Sequence, residues 1–259
     1  MTDTITLDSI DELAASAFEG YVVRKDLAQQ FKGAYPVPTY VGEFLIGRYC
    51  ATTDPEEIEE GLQVVRRLLS DRTVRAGEEE LFKSRARERM TVKLIDLVKA
   101  RLDAKSDVYL AELPSLGLKD ARIDDAVVRD NERMLTGGFY AEVDLSYDAV
   151  IAEEKNGRPF AVGALRPIQL STRESLNRLA EGRSNFTTEQ WKKLLLRSVG
   201  FEPEKLTVRE QDVLLLRMVP FVQRNYNMVE LGPRGTGKSH LFQQVSPYAH
   251  LISGGKATV

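Results

Sequence analysis

Apolar residues recur at helical spacing through the first hundred residues of the chain. The clearest stripe follows Asp54-Pro-Glu-Glu, a typical helix start, and consists of Ile58, Leu62, Val65 and Leu69. An earlier helix is predicted at Ser9-Ile-Asp-Glu12, which has the pattern of a capping box. A further helix is predicted from Gly77 to Arg89, with Thr91 to Leu102 continuing or re-nucleating it. Residues 1–105 are therefore predicted to form a mostly helical region.

The pattern changes to that of strands between residues 106 and 171. Segments 108–113, 139–147 and 159–170 are rich in strand-forming residues, and the tight-turn signal Asn156-Gly157 precedes the last of them. No long helical pattern separates these segments, so they predict a small antiparallel β-sheet or barrel, with the oligonucleotide-binding type among the candidates. Four aromatic residues on these strands fit either a barrel core or a face that stacks on bases: Tyr109, Phe139, Tyr140 and Phe160.

Helical signals return in residues 172–259. Capping boxes stand at Ser171-Thr-Arg-Glu174, Thr187-Thr-Glu-Gln190 and Thr207-Val-Arg-Glu210, and apolar stripes follow the second and third. We interpret these helices as a collar that leads into a nucleotide-binding domain. The predicted fold class is α+β, with a helical N-terminal region, a small β-barrel, the helical collar and the start of a P-loop α/β domain.

Residues 232–239 read Gly-Pro-Arg-Gly-Thr-Gly-Lys-Ser and match the phosphate-binding pattern G-x-x-x-x-G-K-[ST] at every fixed position. The apolar run from Tyr226 to Leu231 predicts a buried strand, and the residues from Ser239 predict the start of a helix. Phosphate binding requires this arrangement, because backbone N–H groups of the loop and the helix must converge on the β-phosphate. In this role Lys238 reaches the β- and γ-phosphates of ATP, and Ser239 binds Mg²⁺. The alternative is a glycine-rich turn with a chance Lys-Ser pair. The predicted nucleotide contacts are Gly232, Pro233, Arg234, Gly235, Thr236, Gly237, Lys238, Ser239 and His240.

Composition narrows the class of protein. A hydrophobic fraction of 42% in 259 residues supports one large domain or two to three smaller ones. The single cysteine, Cys50, rules out a disulfide framework and a thiolate metal site, and neither His240 nor His250 has a second ligand at a metal-binding spacing. No apolar stretch is long enough for a membrane span, and the N-terminus lacks the regions of a signal peptide. We therefore expect a cytoplasmic protein with no membrane partner.

A basic segment stands out in a chain whose formal net charge is −3. Between Gly61 and Arg101, eleven Lys and Arg residues face six Asp and Glu residues. If the segment is helical, Lys83 and Arg87 form one row and Arg85, Arg89 and Lys93 form another. Two such rows could neutralise the phosphates of double-stranded DNA without reading its sequence. The alternative is a solvated helix face paired with Glu78, Glu79, Glu80 and Glu88.

The phosphate loop and its flanks carry a resemblance to a known family. Val229 to His240, preceded by Arg224-Asn-Tyr-Asn and followed by Ser253-Gly-Gly-Lys-Ala-Thr258, closely resembles the BrxL family, the Lon-like proteins of BREX phage-defence systems. The basic stretch Phe82 to Arg89 is also similar to the N-terminal part of that family. The resemblance implies an AAA+ ATPase akin to the minichromosome maintenance helicases. It also implies self-assembly into a DNA-binding ring, other BREX proteins as partners, and a C-terminal Lon-protease-like domain.

Hydrolysis of ATP needs more residues than the chain supplies after its phosphate loop. Twenty residues follow Ser239, whereas hydrolysis requires an acidic Walker-B strand, a group that positions water and usually an arginine finger. The segment from Ala149 to Glu154 has the apolar-then-acidic look of a Walker-B strand, but the Asn156-Gly157 turn favours a hairpin end there. We therefore predict no catalytic residue, and expect the N-terminal part of a longer protein.

Two functions follow from these patterns. In the first, the chain is the DNA-binding and assembly portion of a ring-forming BREX ATPase. In the second, it is a DNA- or protein-binding module without a motor role, whose phosphate loop is a non-functional remnant. Order in the chain from Asn225 onward would distinguish them, because an isolated strand and half a helix cannot bury a core.

Overall fold

The computed structural model describes residues 8–18, 21–50, 52, 54–168, 172–233, 235–244 and 249. The helices in these residues are α1 (Ser9–Ala17), α2 (Lys25–Gln29), α3 (Thr39–Tyr49), α4 (Pro55–Arg72), α5 (Glu79–Arg89), α6 (Asp125–Asp130), α7 (Ala149–Ala152), α8 (Thr172–Arg183), α9 (Thr188–Ser198), α10 (Val208–Val222) and α11 (Lys238–Gln244). The strands are β1 (Thr91–Asp103), β2 (Val108–Leu113), β3 (Leu118–Ile123), β4 (Phe139–Tyr147) and β5 (Phe160–Pro167). The mixed helix and sheet composition predicted from the sequence is confirmed.

The chain divides into two compact units. The first, here called the helical unit, comprises residues 1–32, 38–62 and 170–259. The second, the barrel unit, comprises residues 33–37 and 63–169. The phosphate loop therefore belongs to the helical unit, whereas the basic helix α5 belongs to the barrel unit.

Local capping signals place several helix starts. Thr187 and Thr207 each form a complete capping box, with Gln190 and Glu210 as the reciprocal residues, as predicted. The first helix starts one residue earlier than predicted, because the Asp8 carboxylate accepts the backbone N–H groups of residues 10 and 11 at 2.9 and 3.1 Å. The predicted box at Ser171 lies outside the described residues.

The prediction that residues 91–102 continue a helix is wrong. Helix α5 ends at Arg89, Met90 has a left-handed φ of 63°, and Thr91–Asp103 forms the longest strand of the barrel. Apolar residues at 92, 94, 98 and 100 alternate along this strand and face the core. The strand is the more stable structure because residues 91–98 pair with β4 and residues 99–103 pair with β2, which satisfies backbone groups that a helix would pair locally.

The five strands close into a barrel in the order β1-β2-β3-β5-β4. Three of the predicted strand segments are confirmed as β2, β4 and β5, whereas β3 was not predicted. Four neighbouring pairs are antiparallel, but β3 and β5 run parallel, with Arg122 opposite Ala161 and Ile123 opposite Val162. The prediction of a purely antiparallel sheet is therefore wrong at this seam, because an odd number of strands cannot close into a ring with every neighbouring pair antiparallel.

Alternate residues of all five strands fill the barrel. Phe139 is among the buried core residues, and Tyr109 and Phe160 pack against the core while partly exposed. Gly138 stands where β4 begins, with a φ of 80°, and a Cβ there would lie 2.4 Å from the Val98 carbonyl oxygen. A glycine is required at this position both for its backbone conformation and for the close approach of β1.

Helix α5 packs on the barrel through one narrow face. Phe82 and Ala86, four residues apart, are 2% and 0% exposed and belong to the barrel core cluster. The remaining faces of this helix carry its charged residues. None of the helices in the described part of the chain combines the length and the apolar character that spanning a bilayer demands.

Candidate functional site

The phosphate loop adopts the backbone turns that its glycines predict. Gly235 and Gly237 have left-handed φ values of 81° and 72°, and α11 begins at the next residue, Lys238. A Cβ at either glycine would meet nothing within 4 Å, so the requirement for glycine here is conformational rather than steric. The loop leads directly into the first turn of α11, which is the arrangement by which backbone N–H groups converge on a phosphate.

The ammonium group of Lys238 is held by oxygen atoms of the loop itself. It donates to the Gly232 carbonyl oxygen at 3.1 Å, to Thr236 Oγ1 at 2.9 Å and to the Pro233 carbonyl oxygen. Thr236 Oγ1 donates in turn to the Pro233 carbonyl at 3.1 Å. A phosphate that binds Lys238 would therefore replace three neutral acceptors with a negatively charged one, which is the stronger partner for an ammonium group.

The structure brings together most of the predicted nucleotide contacts. Gly232, Pro233, Gly235, Thr236 and Gly237 form the loop, and Lys238 and Ser239 form the first turn of α11. Arg234 lies outside the described residues, as does the side chain of His240. Ser239 is exposed at the start of the helix, and its hydroxyl is the hard oxygen ligand that Mg²⁺ prefers. Within the described residues, His, Cys, Asp and Glu side chains form no group of three or more that could hold a metal.

The strand predicted before the loop, at Tyr226–Leu231, is not formed. Residues 226–233 have no regular secondary structure, and Val229 and Leu231 are 85% and 90% exposed. A strand requires a neighbour to pair its backbone groups, and no strand of the described residues lies beside this segment. Glu230, between the two exposed apolar residues, contacts Arg217 of α10 instead.

The segment weighed as a Walker-B strand is helical. Ala149–Ala152 forms the short helix α7, and the Asp148 side chain caps it by accepting the backbone N–H groups of Val150 and Ile151. This segment therefore does not provide the acidic residue that ends a Walker-B strand.

The predicted DNA-binding residues do not share one helix. Lys83, Arg85, Arg87 and Arg89 lie on α5, but Lys93 lies on β1, because the helix ends at Met90. The prediction of two continuous helical rows is thus wrong beyond Arg89. Lys93 pairs with Asp144 at 3.5 Å, and Lys83 with Glu80 at 2.7 Å.

The arginines of α5 differ from these paired lysines. Arg85 lies over the Phe82 ring at 5.5 Å, a cation–π contact that leaves its donors available. Arg87 and Arg89 are exposed in the last helical turn, and neither forms an ion pair with the described residues. Positive charge at a helix C-terminus is also favourable by itself, so this arrangement serves helix stability as well as any ligand.

A cleft of about 670 Å³ opens at one end of the barrel beside the β1–β2 turn. Its lining includes Tyr109, Arg122, Asp125 and Arg158. Arg158 donates to the Asp103 carboxylate at 2.7 Å, and Arg122 Nε donates to the Arg158 carbonyl oxygen at 2.8 Å. Hydrogen bonds from Ser106 and Arg158 lower the pKa of Asp103 to about 2. The guanidinium groups of Arg122 and Arg158 therefore already donate hydrogen bonds within the protein.

Family models of known proteins match both halves of the chain. Residues 16–147 match the family described as BREX system Lon protease-like protein BrxL N-terminal, and residues 160–259 match the Lon-like protease BrxL-like ATPase domain. The chain is 45% identical over 250 residues to the Lon-like protease BrxL of Escherichia coli O9:H4 (strain HS), which covers 96% of the chain. It is 42% identical over 242 residues, or 93% of the chain, to the Lon-like protease BrxL of Bacillus cereus (strain H3081.97).

These matches cover only part of each relative. The chain spans 36% of the length of both curated proteins. The phosphate loop lies inside the ATPase-domain match, whose first residue, Phe160, is also the first residue of β5. The family resemblance predicted from residues 229–240 is confirmed, and the chain belongs to the BrxL family of Lon-like proteins of the BREX system.

Proposed function

We propose that this chain is the DNA-binding and assembly portion of a BREX phage-defence ATPase, and that its phosphate loop binds ATP and Mg²⁺. The observation that carries the proposal is the loop of residues 232–239, with its two left-handed glycines, inside an ATPase-domain match. In this role Lys238 holds the β- and γ-phosphates and Ser239 provides the protein ligand to Mg²⁺. The metal would neutralise charge on the phosphates.

The strand order of the barrel supports a more specific fold. This order, with β1 paired to both β2 and β4 and a parallel seam between β3 and β5, supports a barrel of the oligonucleotide-binding type. Helices α8 to α10 would then form the collar of an AAA+ domain akin to that of the minichromosome maintenance helicases. The division into residues 1–105, 106–171 and 172–259 stays a prediction. We further propose a cytoplasmic protein that assembles with itself as a ring and works with other BREX proteins.

A second function is favoured by the segment that precedes the phosphate loop. Val229 and Leu231 are exposed and unpaired with any strand of the described residues, whereas the loop of a working P-loop domain follows a central strand. If this chain binds no nucleotide, it is a DNA- or protein-binding module with a non-functional phosphate loop.

Nucleotide titration decides between these two functions. A fluorescent ATP analogue is titrated into the chain with and without Mg²⁺, beside Lys238→Ala and the control Lys205→Ala, which removes an exposed lysine of the same unit. We expect Lys238→Ala to weaken binding by roughly a hundredfold, since a charge-assisted phosphate contact is worth about 1.5–3 kcal/mol. Ser239→Ala is expected to abolish the benefit of Mg²⁺. Equal binding by all variants would contradict the nucleotide role of the loop.

A salt series tests the DNA contact. We replace Arg85, Arg87 and Arg89 by Gln, and compare a control in which Lys105, Lys119 and Lys155 of the same unit are replaced by Gln. Both variants lose the same charge. Loss of three phosphate contacts would reduce the slope of log K against log salt by roughly 3. We expect this change in the α5 variant alone.

The remaining outcomes of the salt series separate the other sources of binding. An equal effect of both variants would indicate diffuse charge rather than a site on α5. Unchanged binding in both would move the contact to another part of the chain, such as the barrel cleft. Absence of binding by the unmodified chain would contradict a DNA contact within these residues.

A further inference from the structure

Helix α10 contacts the chain on both sides of the phosphate loop. Two of its residues, Arg217 and Phe221, are four positions apart and therefore lie on one helix face. Arg217 contacts Glu230, two residues before the loop begins at Gly232, and Phe221 contacts Phe242, three residues after the loop ends at Ser239. One face of one helix thus touches the entry and the exit of the loop.

The contact at the entry is a bidentate ion pair. Arg217 Nε lies 3.0 Å from both carboxylate oxygens of Glu230, and its Nη2 also donates to Oε1. The side chains are 12% and 26% exposed, so the pair is largely shielded from water. A two-pronged guanidinium–carboxylate contact fixes orientation as well as distance, which a lysine in place of Arg217 could not do.

The contact at the exit is a stacked aromatic pair. The ring centroids of Phe221 and Phe242 are 5.1 Å apart, with an angle of 27° between the rings. Phe242 lies in the second turn of α11, next to Leu241, which is 2% exposed. This pair anchors the helix whose first turn carries Lys238 and Ser239.

The loop itself has few other supports. Residues 226–233 belong to no strand, and the hydrogen bonds of Lys238 and Thr236 stay within the loop. In the described residues, the two α10 contacts tie both flanks of the loop to a regular element outside it. A loop that is ordered before its ligand binds loses less conformational freedom on binding, and this raises the affinity.

We propose that α10 sets the geometry of the phosphate loop, with Arg217 and Phe221 as its positioning residues. This proposal rests on the proposed nucleotide function and adds to it two residues that lie outside the loop motif. Neither residue is expected to touch nucleotide. Arg217 acts through Glu230 on the entry of the loop, and Phe221 acts through Phe242 on the helix that follows.

Nucleotide binding provides the first test. Affinity for the fluorescent ATP analogue is measured for Arg217→Ala, Glu230→Ala, the exchanged pair Arg217→Glu with Glu230→Arg, and Phe221→Leu. Arg209→Ala, which removes an exposed arginine of the same helix, is the control. We expect each of the three single changes to weaken binding by roughly tenfold, the exchanged pair to recover part of that loss, and the control to bind normally.

Hydrogen exchange without nucleotide provides the second test. Peptides covering residues 226–242 are expected to exchange faster in Arg217→Ala and Phe221→Leu than in the unmodified chain, while peptides from the barrel unit stay unchanged. Unchanged exchange in the loop peptides would overturn the proposal directly. This measurement also verifies that each variant remains folded.

The two measurements separate the proposal from the function on which it rests. If the unmodified chain binds no nucleotide, the proposed function fails, and exchange alone decides whether α10 holds the loop. If the unmodified chain binds and the Arg217 and Phe221 variants bind equally well, α10 does not position the loop for nucleotide. Equal losses in the single and the exchanged variants would also overturn the specific Arg217–Glu230 pairing.

Discussion

Asp96 is the one acidic side chain of the described residues that is buried in the barrel unit, at 3% exposure. Its carboxylate accepts the backbone N–H groups of Leu97 at 2.7 Å and Ser115 at 3.2 Å. Burial raises the pKa of Asp96 to about 6, although the Ser115 hydroxyl, which lies nearby without a well-formed hydrogen bond, and the two backbone donors oppose the shift. Burial, together with the charge on Asp96, also raises the pKa of Tyr140 to about 12.

The raised pKa of Asp96 predicts a pH dependence of unfolding. The folded state binds this proton more tightly than the unfolded state does. The contribution of Asp96 to the free energy of unfolding is therefore full below about pH 4, and it falls by up to about 3 kcal/mol as the pH rises through about 6. Asp96→Asn should flatten that decline in denaturant titrations across this range. It should also cost about 1 kcal/mol at low pH, since the amide NH2 group would face a backbone N–H donor, whereas the hydroxyl oxygen of the protonated carboxyl group can still accept.

The matched control for this pH prediction is Asp120→Asn, which changes an exposed aspartate of the same unit. The control should reproduce the pH profile of the unmodified chain. If the free energy of unfolding of Asp96→Asn still declines unchanged as the pH rises, a group other than Asp96 binds the proton.

At the scale of elements, Arg197 of α9 joins three acidic residues within the helical unit. It lies 2.7 Å from Asp8, the cap of α1, 3.1 Å from Asp11 and 3.2 Å from Glu202. The hydrogen bond from Arg197 is the main cause that lowers the pKa of Asp8 to about 2, and the same contacts raise the pKa of Arg197. Because Asp8 also caps α1, one arginine connects the start of the first helix to α9.

Removal of Arg197 is therefore expected to loosen α1. Arg197→Gln should lower the free energy of unfolding by about 1–2 kcal/mol near neutral pH, because three carboxylates lose their shared cation. Asp8 contributes stability above its unfolded pKa of about 4 and loses it as the pH falls through about 2, so the difference between the proteins should shrink in acid. Chemical denaturation at neutral and acidic pH measures both effects.

An exposed ion pair of the same helix provides the comparison for Arg197. Lys193 pairs with Glu204, and both side chains are more open to water than Arg197. Lys193→Gln should change stability by less than about 0.5 kcal/mol. Equal effects of the two substitutions would mean that Arg197 stabilises the unit no more than a surface pair does.

At the scale of the whole molecule, the two proposed activities belong to different compact units. The phosphate loop and α10 lie in the helical unit, whereas α5 and the barrel lie in the barrel unit. The formal net charge of −3 adds no general attraction to DNA, so DNA binding depends on a local concentration of cations such as that on α5.

This division predicts that the two activities of the chain can be separated. Lys238→Ala should leave DNA affinity within about twofold, and the Gln variant of Arg85, Arg87 and Arg89 should leave nucleotide affinity within about twofold. The reason is that substitutions that share no partner act independently. The double variant, measured with both ligands, checks additivity. A marked change of one affinity by the other substitution would indicate coupling between the units.

Much of the secondary structure was predictable because its signals are local. The capping boxes at Thr187 and Thr207, the buried stripe of α4 and the glycine turns of the phosphate loop each depend on residues within one or two turns. The phosphate loop and its flanks also carry the resemblance to the BrxL family. Strand segments with alternating apolar residues, such as Phe139–Tyr147, were recognisable for the same reason.

The failures of prediction share a different cause. Thr91 to Leu102 was predicted to continue the preceding helix, but residues 91–98 pair with β4, whose residues lie 41 to 55 positions further along the chain. Lys93 therefore lies on β1 and not on α5 as predicted. Tyr226–Leu231 was predicted as strand, but no strand of the described residues pairs with it. No sequence pattern links Arg217 with Glu230, and only the packing of α10 brings them together.

The sequence by itself determined where helices start, where the backbone turns through glycine, and which family the chain resembles. The helix starts and the glycine turns depend on neighbouring residues, so their free energy is set within a short window of the chain. Only the tertiary structure decided that β1 is a strand, that β3 and β5 meet in parallel, and that α10 touches both flanks of the phosphate loop. Those outcomes depend on hydrogen bonds and packing between distant segments, which no local pattern encodes.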